Sequence, residues 1–451
     1  MKRREFLHGC LGSLAFAGSS ARASAAEPPR AWVGATLWLG DGQIIDDATL
    51  VTNGERITAL AKGAPVPSGA QVVQAHGFIL TPGWVAVETA LGLVEIELER
   101  STLDAEPHAQ EHGDPIRAAY SAADAYNPLS SLIGVARREG VTNAVATPRG
   151  GLVSGTSAWV ELIDHFPGRP VVREDLALHA NLFELRENSR PLALSRLRNA
   201  LESARLFARS PQAYDQGQTR ELGLSPLDLR RLAQVLGGNL PLVVRVARGA
   251  DMLRLLELGG SYQLRLILSG AEEAWTVAPQ LAAARVPVIV DPSDNLPTSF
   301  SALNSRYENA ALLASAGVPV IFSSFDPYSV HNLRQLAGIA VAHGASPSSA
   351  VRALAFEPAR AFGMGNEYGL LAPGRLANFC VWTGDPFELG TWAQEVVIRG
   401  RSVSTRSRQN ELFDRYRDLG RVPGGRAGLP PAEGARGQGS GVREPGGEQK
   451  R

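Results

Sequence analysis

Between residues 242 and 343 the chain repeats one pattern four times, and this constrains its fold more than any other feature. Apolar runs at Leu242–Ala247, Leu264–Leu268, Val286–Val290 and Val318–Ser323 alternate with helical patterns over Ala250–Leu258, Glu272–Ala284, Tyr307–Ala316 and Val330–His343. Runs five or six residues long and apolar throughout suit parallel strands covered on both faces. Successive β–α units predict a parallel sheet. Upstream, Ser225-Pro226-Leu227-Asp228 opens a further helix, with a Ser cap, Pro in the first turn and an acid at the positive end of the dipole. The alternating region, 81–363, is close to the ~250 residues of an eight-fold β/α barrel. An open doubly wound sheet satisfies the same periodicity.

Both flanks of this region read as β structure. Asp41-Gly42 and Asn53-Gly54 are hairpin dipeptides between the runs Ala31–Leu39, Ala48–Thr52 and Arg56–Ala61. Strands return at Phe379–Trp382 and Glu395–Ile398, with a Gly-Arg turn at 400–401. Residues 31–80 and 364–405 are thus predicted as β segments flanking an alternating α/β region over 81–363. Residues 420–451 are rich in Gly, Pro and Arg and read as a disordered tail.

The first 25 residues read as an address. Arg3-Arg4 precedes Phe6-Leu7, a weakly apolar stretch runs from Leu11 to Ala17, and Ala23-Ser24-Ala25 forms an A-x-A cleavage pattern. A twin-arginine signal peptide over 1–25 predicts a periplasmic or extracellular protein. No segment is apolar for the ~20 residues a membrane span needs. The 45 basic and 45 acidic side chains balance, which argues against nucleic acid as a partner. Of the two cysteines, Cys10 falls in the signal and Cys380 remains, so no internal disulfide or cysteine-rich zinc site is predicted.

Three stretches together resemble the amidohydrolase superfamily, in particular its imidazolonepropionase-like branch. Thr81-Pro82-Gly83-Trp84-Val85-Ala86-Val87-Glu88-Thr89-Ala90 is similar to the family's first barrel strand, P-G-φ-φ-D-x-H-x-H, where φ is apolar. Tyr307-Glu308-Asn309-Ala310-Ala311 through Gly317-Val318 leads into Phe322-Ser323-Ser324. Glu357-Pro358-Ala359, then Gly369-Leu370-Leu371-Ala372-Pro373-Gly374-Arg375-Leu376-Ala377-Asn378, is similar to the signature that closes the barrel. The resemblance implies a TIM-like (β/α)8 barrel with a composite β-sandwich. It also implies hydrolysis of non-peptide carbon–nitrogen bonds, through a divalent metal such as zinc that acidifies bound water.

The family's ligand positions are largely substituted here. Glu88 and Ala90 stand at the two strand-one histidines and Ala86 at the usual Asp. Arg245 stands where a histidine is expected and Leu268-Ser269-Gly270 where another histidine or acid is, and the last-strand aspartate falls on Phe325, with Asp326 one residue late. The only lysine within the fold, Lys62, precedes the barrel, so a carboxylated-lysine bridge between metals is excluded. A fixed cation at Arg245 repels a divalent ion and is positioned to pair with Glu88. The expectation is therefore a barrel without its ancestral metal. It would act as a binding or partner subunit, either as a homodimer or in a heterodimer with an active amidohydrolase. The alternative is an active hydrolase with a rearranged site, for which the candidate ligands are Glu88, Asp326, and His108 and His112 of the H-x-x-E-H run in the loop after strand one. Glu88 and Asp326 are the candidate catalytic residues. Arg245, Asp291, Asn295 and His331 are candidate binding residues for a small-molecule ligand, with Asp294 beside them at the mouth. Trp159, Trp275 and Trp382 are read as core.

Overall fold

The computed structural model describes residues 28–107, 115–163, 170–182 and 189–417. The N-terminal strands are β1 (Arg30–Trp38), β2 (Ile44–Asn53), β3 (Arg56–Lys62), β4 (Gln71–Gln74) and β5 (Ile79–Pro82). The barrel strands are β6 (Trp84–Thr89), β7 (Val141–Ala146), β8 (Val153–Thr156), β9 (Ala158–Glu161), β10 (Val171–Arg173), β11 (Leu178–Asn181), β12 (Leu242–Val246), β13 (Leu266–Gly270), β14 (Val288–Val290) and β15 (Val320–Phe322). The chain ends in β16 (Phe379–Trp382), β17 (Ala393–Ile398) and β18 (Arg401–Ser402).

One sheet combines both chain ends in the order β18-β17-β16-β5-β1-β2-β3, with β4 added beside β1. Alternation along these strands turns Trp32, Leu37, Leu50, Ile57, Leu80, Phe379 and Val397 onto a shared core. The intervening residues Cys380, Trp382, Val396 and Ile398 face the barrel instead, so β16 is buried on both faces. Trp382 stacks on Trp84 with ring centroids 5.9 Å apart, which joins this sheet to the first barrel strand.

The barrel strands fall into two hydrogen-bonded arcs, β10-β9-β7-β6 and β15-β14-β13-β12-β11-β8. Two seams join them. Ser323 Oγ donates to Val87 O at 2.7 Å, and Ser157 N and Leu176 N exchange bonds with Ala177 O and Ser157 O. Side-chain parity is uniform around the ring. Val85, Val87, Val145, Ala177, Val243, Ile267, Ile289 and Ile321 fill the interior, and Phe362, Met364 and Tyr368 join the same cluster. Their neighbours Ala86, Ala144, Leu178, Val244, Leu268, Val288 and Val320 face the surrounding helices.

β12 to β15 form the predicted parallel succession, and β11, which the sequence did not mark, adds to it in parallel beside β12. The first half departs from eight repeating units. The glycine-rich Gly150–Gly155 stretch runs into strand β8, which pairs antiparallel with β11. One residue later β9 pairs antiparallel with β7. Ser157 alone separates β8 from β9, so the chain passes directly from one arc to the other.

Helix boundaries shift for local reasons. The helix predicted over 272–284 begins as a 3-10 turn at Ala274–Val277 and continues as Ala278–Ala284, with Pro279 in its first turn. The helix Pro226–Leu236 opens as predicted, with Ser225 Oγ accepting from Asp228 N at 3.1 Å. Trp159 and Trp382 are core. Trp275 is not: it is half-buried, with the Arg306 guanidinium 4.9 Å from its ring centre. A helix not foreseen, Arg408–Tyr416, follows the last strand and is capped by Ser407 and Asn410. The proposed signal 1–25 and tail 420–451 lie outside the described residues.

Candidate active site at the barrel mouth

The inward positions one step beyond the interior apolar layer define the site. Continuing the parity toward the C-terminal strand ends gives Thr147, His179, Arg245, Ser269, Asp291 and Ser323. By the parity of Trp84 and Ala86, Glu88 would face outward. Its left-handed backbone, φ 51°, breaks the strand and turns the carboxylate inward. Phe325 is likewise left-handed, φ 54°, and its ring lies under the Arg245 guanidinium at 4.3 Å.

Glu88 meets two neighbours that sequence reasoning did not assign to it. His179 Nδ1 stands 2.6 Å from its Oε1, at ion-pair distance but off the line of a hydrogen bond. Ser269 Oγ donates to Oε2 at 2.5 Å. Burial by itself would raise the Glu88 carboxyl. Attraction to His179, the bond from Ser269 and the Arg245 charge outweigh burial and hold it below the usual carboxylate range. His179 is only 3% exposed, and its Nε2 has no hydrogen-bond partner among the described residues. The expected Glu88–Arg245 pair is thus replaced by a Glu88–His179 contact, and Arg245 acts on Glu88 through charge. His179 could have been found by its parity with Ala177, once that strand was recognised.

Arg245 also attracts three further carboxylates, Glu272, Asp291 and Asp294. They follow the ends of adjacent strands β13 and β14. Ala271 N and Glu273 N bond to Val246 O and Ala247 O, which seats Glu272 over the end of β12. Asp291 Oδ1 accepts from Ser293 N and Oγ at 2.8 and 2.6 Å. Burial raises the Glu272 and Asp291 carboxyls. Asp294 is pushed up to about 7 by burial and by repulsion from Asp291 and Glu272.

The remaining sequence candidates lie apart from this cluster or outside the described residues. Asp326 closes a local turn, its Oδ1 accepting from Tyr328 N at 3.2 Å and its Oδ2 from Ser329 Oγ at 2.6 Å. Asn295 is half-buried in the loop after β14. His331 sits in the 3-10 turn Val330–Asn332 that starts the helix Leu333–Ala342. His108, Glu111 and His112 lie outside the described residues. Lys62 ends β3 in the composite sheet, away from the barrel strands.

Among the described residues the donor set does not fit a family-type metal. Such sites draw three or more ligands together. Among the described residues no group of three His, Cys, Asp or Glu side chains is placed to hold a metal ion. The two donors that do meet, Glu88 and His179, are in contact with each other, and Arg245 brings a permanent positive charge to the same layer.

Comparison with known proteins agrees with the architecture. Residues 253–403, from the helix after β12 to just past β18, match the amidohydrolase family model. The chain is 21% identical over 424 residues to the amidohydrolase tasK of Hapsidospora irregularis, covering 86% of this chain and 42% of that protein. It therefore spans well under half the length of that curated relative. An amidohydrolase from Thermotoga maritima MSB8 superposes with a TM-score of 0.74 at 20% identity, covering 83% of this chain and 99% of the other. Molinate hydrolase superposes with a TM-score of 0.53 at 17% identity, covering 84% and 95%. Residues 253–403 thus match the amidohydrolase family model, and the chain shares the fold of the Thermotoga maritima amidohydrolase.

Proposed function

We propose that this protein is an exported amidohydrolase-family barrel that has lost metal-dependent carbon–nitrogen hydrolysis and works as a binding or partner subunit. The observation that carries the reading is the Glu88–His179 contact, 2.6 Å long, in a layer that also feels Arg245. A guanidinium cannot shed its charge in a protein. In a poorly solvated site its repulsion of a divalent cation is strong. Substituting several ligands together is not a tuning change, since removal of even outer-shell partners costs ~10–100-fold in affinity or activity.

The test is elemental analysis of protein purified without an affinity tag from an exporting host, followed by zinc titration monitored by thermal unfolding. The reading expects no stoichiometric metal and no shift of Tm with zinc. About one zinc, iron or manganese per chain would overturn it. That outcome would favour an active hydrolase with a rearranged site, with Glu88, His179, His108, His112 and Asp326 as the ligands to mutate. Under the proposed reading a protein that co-purifies with the chain, or a second copy of it, is the expected partner.

A further inference from the structure

The mouth carries negative charge that its own described residues leave unmatched. Glu272 is 7% exposed, and its Oε2 has no hydrogen-bond partner. Gly270, at φ 78°, makes room for this group: a Cβ there would stand 3.2 Å from Oε2. The Asp294 carboxylate has no hydrogen bond or ion pair, and its backbone N–H only closes the turn onto Asp291 O. Asp291 spends one oxygen on Ser293. A buried, unpaired carboxylate is costly unless a positive or hydrogen-bonding group meets it. Arg245 is shared among all three of these groups and Glu88. The three acids are not gathered as a metal cage. A cation with several N–H donors can meet carboxylates that no single metal ion gathers.

We infer that the barrel mouth takes a small organic cation, a protonated amine or guanidine, held by Glu272, Asp291 and Asp294. This names a ligand class for the site proposed above, and it rests on that reading only in treating the mouth as a binding site. Burial of Glu272 favours a free small molecule over a residue on a docking surface. Asp294 faces Asp291 from its own loop, Glu272 from the end of β13 and Arg245 from β12, and these groups set its response to pH.

Calorimetric titration of the full chain with agmatine, a guanidine carrying a second amine, tests the inference at pH 6 and pH 8, with butyrate as the anionic control. Agmatine is expected to bind saturably and about tenfold more tightly at pH 8, because the binding-competent ionised form of Asp294 becomes the major one. Glu272→Gln is expected to weaken binding about tenfold or more. Asp294→Asn is expected to remove the pH dependence, and butyrate not to bind. Circular dichroism shows whether each variant is folded. Asp294→Asn, on a loop, keeps the test available if Glu272→Gln unfolds. Absence of saturable agmatine binding at both pH values would overturn the inference. So would binding unchanged by a folded Glu272→Gln, or an equal response to butyrate. Zinc content of the same preparation separates the two ideas: stoichiometric zinc defeats the metal-free reading, while the agmatine result alone decides the cation site.

Discussion

At the scale of single residues, the barrel mouth holds carboxylates with opposite titration behaviour. Glu88 sits below its ordinary value of 4.5 in the fold. Its contribution is therefore fully present above that pH and lost as pH falls through the folded value. Glu88→Gln should flatten the acid limb of a stability–pH curve measured by urea unfolding. His179→Ala should cost roughly 3–5 kcal/mol at pH 7, because it leaves a buried carboxylate without its main partner. Asp294 behaves the other way. Raised from 3.8 to about 7, it binds more protons folded than unfolded between those values, so stability falls as pH rises through that window. Asp294→Asn should raise Tm at pH 8 and leave it nearly unchanged at pH 4. An equal effect at both values would show that Asp294 does not titrate as the geometry implies.

At the scale of elements, the barrel and the composite sheet are joined by a buried carboxylate that no sequence signal marked. Glu161 ends β9 and is 1% exposed. Tyr368 Oη donates to it at 2.9 Å, Asn378 Nδ2 at 3.4 Å, and Arg399, in the turn after β17, donates from Nε at 2.5 Å. Burial, together with repulsion from Glu161, pushes the Tyr368 hydroxyl well above its ordinary value. Glu161→Ala should cost roughly 3–5 kcal/mol, since it strands the buried side of this network. By contrast Glu257→Ala, which breaks the exposed pair with Arg254, should change stability by less than about 1 kcal/mol. Comparable losses in the two variants would refute the assignment. The turn itself is equally constrained: Gly400, at φ 74°, packs so that a Cβ would stand 2.0 Å from Gly54 O, and Gly400→Ala should be among the most destabilising single-methyl additions in the sheet.

At the scale of the whole molecule, export and partnership are the outstanding predictions. No helix among the described residues is long and apolar enough to cross a membrane. If Arg3-Arg4 directs export, the double substitution Arg3→Lys and Arg4→Lys should leave the protein in the cytoplasm of an exporting host, as read by cell fractionation. Secretion of the doubly substituted chain would refute the twin-arginine assignment. Much of the fold was legible beforehand. Apolar runs separated by helical periods reproduce β12 to β15 within two residues or so at most ends, because strands buried on both faces need continuous apolar sequence. β8 to β11 were missed because they are short, and Gly150–Gly155 reads as a loop until a pairing partner far along the chain is known. Of the site, Glu88, Arg245 and Asp291 were legible as family positions or strand-end residues, with Asp294 noted beside them. His179 and Glu272 were not assigned, since neither lies in a motif.

What the sequence determined by itself was most of the succession of strands and helices, the β character of both chain ends, and the identity of residues such as Glu88 and Arg245 near strand ends. These follow from local hydrophobic period, turn chemistry and residue identity, and no distant contact is needed to read them. The tertiary structure decided which side chains meet. The left-handed backbone at Glu88 reversed its direction and brought it to His179, 91 positions away, in place of the expected Arg245. Ring closure brought Glu272, Asp291 and Asp294 within range of one arginine, and burial then set their charges. Parity fixes which face a strand residue takes, but a single residue in the left-handed region resets that parity. Only the folded backbone shows where this happens.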